Sequence, residues 1–275
     1  MLPHWTEGDV LVEGCRLHYY RTGSGNKPAL VLAHGFSDGG LCWLPVARDL
    51  EAEFDVILPD ARGHGLSERV QPGEMLDQSA DLAALMRGLG LNQAVVGGHS
   101  MGGGMAGEFG ARYPELTRAL ILEDPAWFLP KEPIEPAPKE EPVRVESEYE
   151  LWLKTAPSLP IEDIIAKCRA GDPNWPEVEV YPWALAKQQF DPNFLTTRRD
   201  RGDWRDAAAK IQCPTLLITS GPEQWSIITP EIAQLAVQIN PRIQVAYVPN
   251  AGHSIRRDNY TAYMEAVRAF LHSLP

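Results

Sequence analysis

The sequence predicts an α/β fold, a mostly parallel, doubly wound, eight-stranded sheet with a helical insertion after the sixth strand. Short, continuously apolar segments alternate with segments of helical periodicity, which is typical of parallel strands covered on both faces. The 275 residues can bury a large core, and 44% hydrophobic with 23% charged residues is ordinary for a globular protein. The alternation is interrupted once, between about residues 125 and 210.

The first half of the chain contains six of the predicted strands. Residues 9–22 are expected to form a hairpin, because apolar residues alternate on both sides of Glu13-Gly14. Continuous apolar runs predict the next strands at 29–33, 56–58, 94–97 and 120–122. The stretches between them predict helices over 43–50, 76–89 and 101–113.

The strand and helix pattern resumes after residue 210. Strands are predicted at 214–219 and 243–248, and a closing helix from about 256 to 271. Thr229 is placed to cap a helix that starts at Pro230. The core domain is therefore assigned to residues 1–124 and 211–275.

Residues 125–210 are expected to form a separate insertion. No strand is predicted here, prolines are frequent, and helical fragments are expected at 161–170 and 182–189. Five of the eight tryptophans fall in this segment, namely Trp127, Trp152, Trp175, Trp183 and Trp204. They either pack into a second small core or form the aromatic inner face of a lid.

Composition and charge exclude several classes of partner. The net charge of −12 disfavours binding to nucleic acid or to an anionic membrane surface. The four cysteines form no C-x-x-C pair, and neither a signal peptide nor an apolar run of about 18 residues is recognisable. We expect a cytoplasmic protein, a monomer or a homodimer, with reduced thiols.

Neither a cofactor nor a metal is expected. The run Gly102-Gly103-Gly104-Met105-Ala106-Gly107 matches G-x-G-x-x-G, but it lies inside a predicted helix, whereas a dinucleotide fingerprint opens the helix. No P-loop pattern occurs, and the histidine spacing offers no metal motif.

The most informative motif is Gly98-His99-Ser100-Met101-Gly102, which joins a predicted strand to a predicted helix. This G-x-S-x-G pattern is typical of a serine nucleophile held in a strained turn, where neighbouring residues must lack side chains. Ser100 is therefore the candidate nucleophile.

A serine nucleophile needs a base, and the base needs an acid to orient it. His253 follows the last strand, so it is expected at the sheet edge where Ser100 also lies. Asp124, after the sixth strand, is preferred as the acid, and Glu223, after the seventh, is the alternative. Glu123 is third, because strand alternation turns it away from Asp124.

An acyl-transfer site also needs donors for a developing oxyanion. The backbone N–H of Met101 suits this role because it lies at a helix N-terminus. The loop 34–40, with glycines on both sides, is expected to supply the N–H of Phe36 as the second donor. The residues predicted to line the substrate pocket are Ser37, Asp38, Trp127, Phe128, Trp152 and Trp183.

Together these motifs resemble the α/β-hydrolase superfamily. The matching segments are His34-Gly35-Phe36, Pro59 to Ser67, the Ser100 motif, Cys213 to Ile218 and Ala251-Gly252-His253. The resemblance implies Ser100 as nucleophile, His253 as base, Phe36 and Met101 as oxyanion donors, and residues 125–210 as a cap over the site. Asp60, Arg62 and His64 are interpreted as loop-shaping residues.

The resemblance also limits the chemistry. Ser100 stands where the dehalogenase and epoxide-hydrolase branches have aspartate. Most relatives place an aspartate after the seventh strand, where this chain has only Glu223, and a minority place the acid at the position of Asp124.

The sequence therefore predicts a serine hydrolase that cleaves a small carboxylic ester or lactone through an acyl-enzyme. The aromatic-rich cap suggests a medium-sized apolar or aromatic substrate. The alternatives are a C–C bond hydrolase or perhydrolase with the same triad, or a ligand-binding, receptor-like module with little turnover.

Overall fold

The computed structural model describes residues 4–12, 14–129, 146–198, 202–221 and 225–275. Its eight-stranded sheet has the order β1-β2-β4-β3-β5-β6-β7-β8. The strands are β1 Thr6–Val12, β2 Cys15–Arg21, β3 Ala29–Ala33, β4 Asp55–Pro59, β5 Ala94–His99, β6 Thr117–Glu123, β7 Thr215–Ser220 and β8 Ile243–Val248. The first two pair antiparallel, as does β2 with β4, and all other pairs are parallel. The predicted fold class is thereby confirmed.

Ten α-helices are found in the described parts of the chain. They are α1 Leu44–Leu50, α2 Gln78–Gly88, α3 Met101–Arg112, α4 Glu148–Thr155, α5 Ile161–Gly171, α6 Glu177–Gln188, α7 Trp204–Lys210, α8 Pro230–Ile239, α9 Ile255–Asp258 and α10 Tyr260–Ser273. Short 3₁₀ helices cover Gly40–Trp43, Ala156–Ser158 and Pro192–Thr196. Thr229 caps α8 as predicted, accepting a hydrogen bond from the Ile232 N–H.

Both faces of the sheet are buried, as continuously apolar strands require. Alternation sends neighbouring residues of one strand to opposite sides. Val31 packs with Met86 and Phe109 on the face covered by α2 and α3. Leu30 packs with Phe270 on the face covered by α1 and α10. Because the strands are parallel, the loops that follow their C-terminal ends all lie at one edge of the sheet.

Two predicted helices differ from the structure. The closing helix is divided into α9 and α10, because Asn259 leaves the helical conformation and its side chain accepts a hydrogen bond from the Ala262 N–H. The helix predicted to begin at Pro182 begins at Glu177, and Pro182 lies inside it. The helix starts earlier because Pro176 precedes it and its first turn is acidic, and both features favour a helix N-terminus.

Between β6 and β7 the described residues form helices α4 to α7. A small apolar core joins α5 and α6 through Ile164, Cys168, Val180 and Trp183. The division of the chain into a core and a cap at residues 125 and 210 stays a prediction. No helix in the described ranges is both long and apolar enough to cross a bilayer. All four cysteines are free thiols.

Candidate active site

The turn that joins β5 to α3 holds Ser100 in a strained conformation. Ser100 has φ 52° and ψ −112°, a region that residues with a side chain seldom adopt. A Cβ on Gly98 would lie 2.3 Å from the Gly102 carbonyl oxygen, and one on Gly102 would lie 2.4 Å from the Ala33 oxygen. Both glycines are therefore needed for the backbone to close so sharply around the serine.

The acid and the histidine meet at the edge where β6 and β8 end. His253 Nδ1 lies 2.6 Å from Asp124 Oδ2, and Asp124 is fully buried. The hydroxyl of Ser226 donates to Asp124 at 2.6 Å, and the N–H groups of Ile227 and Ile228 donate at 2.9 Å each. Because Asp124 accepts all three of these hydrogen bonds, it also accepts from the His253 nitrogen that faces it, which fixes the Nδ1–H tautomer.

The other two candidate acids are placed differently. Glu123 points to the opposite side of the strand, as alternation predicts, and accepts a hydrogen bond from the Arg256 backbone N–H at 2.9 Å. Glu223 lies outside the described residues. Among the residues that the structure describes, Asp124 is thus the carboxylate that contacts His253.

His99, which directly precedes Ser100 in the chain, contacts His253. His99 pairs with Glu123 in the β5–β6 register, which sets Ser100 beside Asp124. His99 Nε2 donates to the His253 carbonyl oxygen at 2.9 Å, and the two rings lie 4.6 Å apart. Burial, together with the neighbouring His253, holds the pKa of His99 well below its usual value, so this ring stays neutral.

The Ser100 hydroxyl makes no hydrogen bond to His253 or to any other described residue. Hydroxyl–imidazole contacts of this kind often tighten only when a substrate binds. Ser100 is half-buried and the side chain of His253 is 19% exposed, so both can be reached from solvent.

The two expected oxyanion donors lie at the ends of neighbouring elements. The loop after β3 is folded by hydrogen bonds from the N–H groups of Ser37, Asp38 and Gly40. Within the described part of the chain, neither the Phe36 N–H nor the Met101 N–H donates to a protein acceptor. Both N–H groups are therefore free to donate to a ligand, and their role as oxyanion donors stays a prediction.

The residues interpreted as loop-shaping have contacts that fit this role. Asp60 accepts hydrogen bonds from the Gly40 and Leu66 N–H groups at 2.7 and 2.9 Å. His64 Nε2 accepts a hydrogen bond from the Ser37 N–H at 3.2 Å, and its Nδ1 donates to the Arg62 carbonyl oxygen at 3.0 Å. Arg62 forms ion pairs with Glu74 and Asp81 at 2.8 Å each.

Two predicted pocket residues are buried in polar contacts instead. The hydroxyl of Ser37 is paired with the hydroxyl of Tyr149 at 2.8 Å. The carboxylate of Asp38 contacts Lys187 at 2.8 Å and Arg257 at 3.0 Å. These placements differ from the prediction, because the bonds turn both side chains into the protein rather than toward an open pocket.

The predicted aromatic residues divide between core and surface. Trp127 is buried and stacks on Trp204 at 4.8 Å, and Trp183 is buried in the small core of α5 and α6. Phe128 is 58% exposed. Trp152 stacks on Trp183 at 5.9 Å and also packs with Phe36 against an apolar cluster. The tryptophans thus serve mainly as a packed core, and Trp152 links that core to the site.

This apolar cluster includes one of the two expected oxyanion donors and packs against the other. It contains Val70, Leu76, Met101, Leu153, Phe190, Phe194 and Leu195, with Phe36 and Trp152 packed on it. Met101 also lines a cavity of about 580 Å³ between α3, α7 and residues 75–78. Phe36 and Met101 therefore contact an apolar cluster on one side, whereas the cavity beside Met101 is also lined by charged residues such as Arg112 and Lys210.

One residue beside the site was not singled out from the sequence. Trp225 is 75% exposed, has a positive φ of 59°, and presents its ring edgewise to His253 at 5.4 Å. The sequence feature that could have identified it is a tryptophan in the loop after β7, directly before Ser226, which binds Asp124. No group of three or more metal-binding side chains in the described ranges could hold a metal ion.

This sheet, with its strained serine turn and its Asp–His contact at the strand ends, defines the class of α/β hydrolases. The sequence model of the alpha/beta hydrolase family matches residues 30–266, so the chain belongs to that family. The resemblance noted from the motifs is confirmed, and the chain is a hydrolase of this fold.

Two relatives match along nearly their whole length. N-formylmaleamate deformylase of Pseudomonas putida is 29% identical over 96% of each chain. The 2-(acetamidomethylene)succinate hydrolase of Mesorhizobium japonicum is 24% identical over 90% of this chain and 89% of its own.

Solved structures agree on the fold. The crystal structure of E-2-(acetamidomethylene)succinate hydrolase superposes with a TM-score of 0.72 at 22% identity, covering 98% of this chain and 100% of the other. N-formylmaleamic acid deformylase from Pseudomonas putida superposes with a TM-score of 0.71 at 25% identity, covering 96% of this chain and 100% of the other.

Proposed function

We propose that the protein is a serine hydrolase that cleaves a carboxylic ester or lactone through an acyl-enzyme on Ser100. The observation that carries the proposal is the 2.6 Å contact between Asp124 and His253, at the sheet edge where the strained Ser100 turn also lies. An oriented neutral imidazole beside a serine is the arrangement that activates a hydroxyl near neutral pH.

The reaction follows from the roles of these groups. His253 Nε2 takes the Ser100 proton while the serine oxygen attacks the substrate carbonyl carbon. The N–H groups of Phe36 and Met101 stabilise the oxyanion of the tetrahedral intermediate. His253 then gives its proton to the leaving oxygen, and the acyl-enzyme remains. Water, deprotonated by His253, attacks the acyl carbon and releases the acid and free Ser100.

The apolar surroundings support a substrate with an apolar acyl part. The residues packed against Phe36 and Met101 are aliphatic and aromatic. The two cations that pair most closely with Asp38, in the loop after β3, are Lys187 and Arg257, and both are buried. Neither of these two cations is free to bind a carboxylate on the substrate.

A second candidate is the hydrolysis of a small acidic N-acyl compound. It is supported by the name of the deformylase, whose 29% identity extends over 96% of both chains. An amide nitrogen leaves less readily than an ester oxygen, so this reaction would depend more strongly on proton donation by His253.

Purified protein assayed on p-nitrophenyl butyrate, a δ-lactone and N-formylmaleamate distinguishes these substrates. We expect ester and lactone hydrolysis with a much lower rate on the acidic amide. Ser100→Ala should lower kcat by about 10⁶-fold, as for other serine triads. Preferential turnover of N-formylmaleamate would favour the second candidate. Turnover that survives in Ser100→Ala, or no turnover of any of the three, would contradict the serine mechanism.

A further inference from the structure

A cluster of six buried charges lies beside the candidate active site and takes no part in the chemistry above. Each of its side chains is at most 5% exposed. We call this group the six-charge cluster; its members are Asp38, Glu123, Glu179, Lys187, Arg256 and Arg257. Charges are removed from water at a high cost unless each one is closely paired, and apolar residues often serve equally well in a core. The position of the cluster therefore calls for a reason beyond packing.

Lys187 is the member that contacts the oxyanion loop. Its Nζ, on helix α6, donates to the carbonyl oxygen of Ser37 and to Asp38 Oδ1, both at 2.8 Å. Burial would lower the pKa of Lys187, but Asp38, together with Tyr149 and Cys42, raises it above its usual value. A charged lysine therefore holds the backbone one residue beyond Phe36.

The rest of the cluster fixes Asp38 from the other side. Arg257 donates to Asp38 at 3.0 Å and to Glu179 of α6 at 3.1 Å. Arg256 pairs with Glu123 at 3.1 Å. Burial alone would raise the pKa of Asp38, but Arg257, Lys187 and Arg256 outweigh it and hold that pKa well below its usual range. The carboxylate thus stays ionised.

Three members of the cluster lie within three residues of a candidate site residue in the chain. Asp38 lies two residues after Phe36, Glu123 directly before Asp124, and Arg256 three residues after His253. Helix α4 supplies a second bond to the same loop, because the Tyr149 hydroxyl is 2.8 Å from the Ser37 hydroxyl. Two helices from between β6 and β7 therefore hold the loop that presents Phe36.

We propose that Lys187 is a positioning residue for the oxyanion hole. By holding the Ser37 carbonyl and Asp38, it sets where the Phe36 N–H points, so that helix α6 determines how well the tetrahedral intermediate is stabilised. This inference rests on the proposed function, since it assigns a role within the same acyl-transfer site.

The test is a double variant, Lys187→Met/Asp38→Asn, in the full chain. It keeps the cluster neutral, because Arg256 remains paired with Glu123 and Arg257 with Glu179. Loss of one oxyanion donor lowers kcat by about 10²–10³-fold, so a misplaced donor should cost about 10–100-fold. We expect that fall in kcat on p-nitrophenyl butyrate with KM nearly unchanged, and a matching loss of affinity for n-butylboronic acid, which mimics the tetrahedral intermediate.

A matched control removes a buried pair far from the site. Arg21→Met/Asp55→Asn deletes an ion pair between β2 and β4 in which Asp55 is 1% exposed. This control should lower the melting temperature and leave kcat and boronate affinity unchanged. A merely structural Lys187 would behave in the same way.

A gentler pair of variants applies if the double variant does not fold. Tyr149→Phe removes the hydroxyl bond to Ser37 from a side chain that is 40% exposed, and Tyr181→Phe on α6 is its control, 56% exposed. Loss of one hydrogen bond corresponds to a factor of about 2–10 in a rate constant. Tyr149→Phe should therefore lower kcat by that factor, and Tyr181→Phe should leave it unchanged.

The outcomes separate the two proposals. Wild-type turnover that depends on Ser100, together with a folded double variant of unchanged kcat and boronate affinity, overturns the positioning role alone. Equal kcat for Tyr149→Phe and Tyr181→Phe overturns it where the double variant is unfolded. A wild-type protein with no Ser100-dependent turnover contradicts the proposed function, and the positioning role with it.

Discussion

Glu123 and Asp124 are neighbours in the chain, yet they belong to two different electrostatic regions. Asp124 pairs with His253, whose side chain is 19% exposed. Glu123 pairs with a guanidinium that is fully buried. The end of β6 therefore divides a region that contains an imidazole from the six-charge cluster, whose cations are two arginines and a lysine.

The difference separates proton transfer from positioning. An imidazole changes its charge within the physiological pH range, so the Asp124–His253 pair is suited to receive and return a proton. An arginine cannot do so, and the six-charge cluster is suited only to hold neighbouring backbone in place. Substitutions in the two regions should accordingly affect different quantities.

Asp124→Asn should have the largest effect on activity. An amide in place of the acid no longer fixes the Nδ1–H tautomer of His253, and in a comparable triad this change lowers kcat by about 10⁴-fold. Steady-state kinetics on p-nitrophenyl butyrate measure the loss. A fall of less than tenfold would mean that another acid, such as Glu223, orients the histidine.

Glu123→Gln should mainly reduce stability. It removes the nearer of the two carboxylates that pair with the buried Arg256, Asp38 being 3.7 Å away, and breaking such a pair costs about 3–5 kcal/mol of unfolding free energy. Urea denaturation monitored by fluorescence gives this value, and kcat should fall far less than in Asp124→Asn. If Glu123→Gln lost as much activity as Asp124→Asn while its stability stayed unchanged, the proposed difference between the two regions would be contradicted.

His99 should make the protein less stable as the pH falls. In the unfolded chain its imidazole takes up a proton near pH 6.5, whereas burial keeps the folded group neutral to lower pH. The unfolded state therefore binds more protons below about pH 6.5, and the stability from this group declines by about 1.4 kcal/mol per pH unit. Urea denaturation between pH 7 and 5 should give a flatter dependence for His99→Gln, and identical slopes would contradict this account.

Trp225→Ala should have the smallest effect, and it should act on substrate binding. The exposed indole stands edgewise to His253, and an aromatic contact contributes about 0.5–1.5 kcal/mol. KM for an aryl ester should rise about 2–10-fold with kcat little changed. Leu11→Ala, a 74% exposed residue on the opposite edge of the sheet, is the control. No difference between the variants in KM would exclude Trp225 from the binding surface.

Features that depend on local physics could be predicted from the sequence. The glycines around Ser100, the Thr229 cap and the alternation that separates Glu123 from Asp124 each follow from a few neighbouring residues. The parallel topology also brought Asp124 and His253 to one edge, although the sequence left Glu223 open as the acid. The family follows from the same motifs.

Features that depend on tertiary packing could not be predicted in this way. Lys187 meets Asp38 across 149 residues, and nothing in the local sequence of α6 marks a buried lysine. For the same reason Asp38 was expected to face a pocket. The tryptophans illustrate the limit as well, because composition alone does not distinguish a small core from a lid surface.

The central claim is that Ser100 is activated by His253 and Asp124. Its most direct test is peptide mass spectrometry after brief reaction with a fluorophosphonate. We predict a single phosphonyl adduct on Ser100 in the wild-type protein and a strongly reduced rate of labelling in His253→Ala. Labelling of a different residue, or equal labelling of Ser100 when the imidazole is removed, would contradict the account.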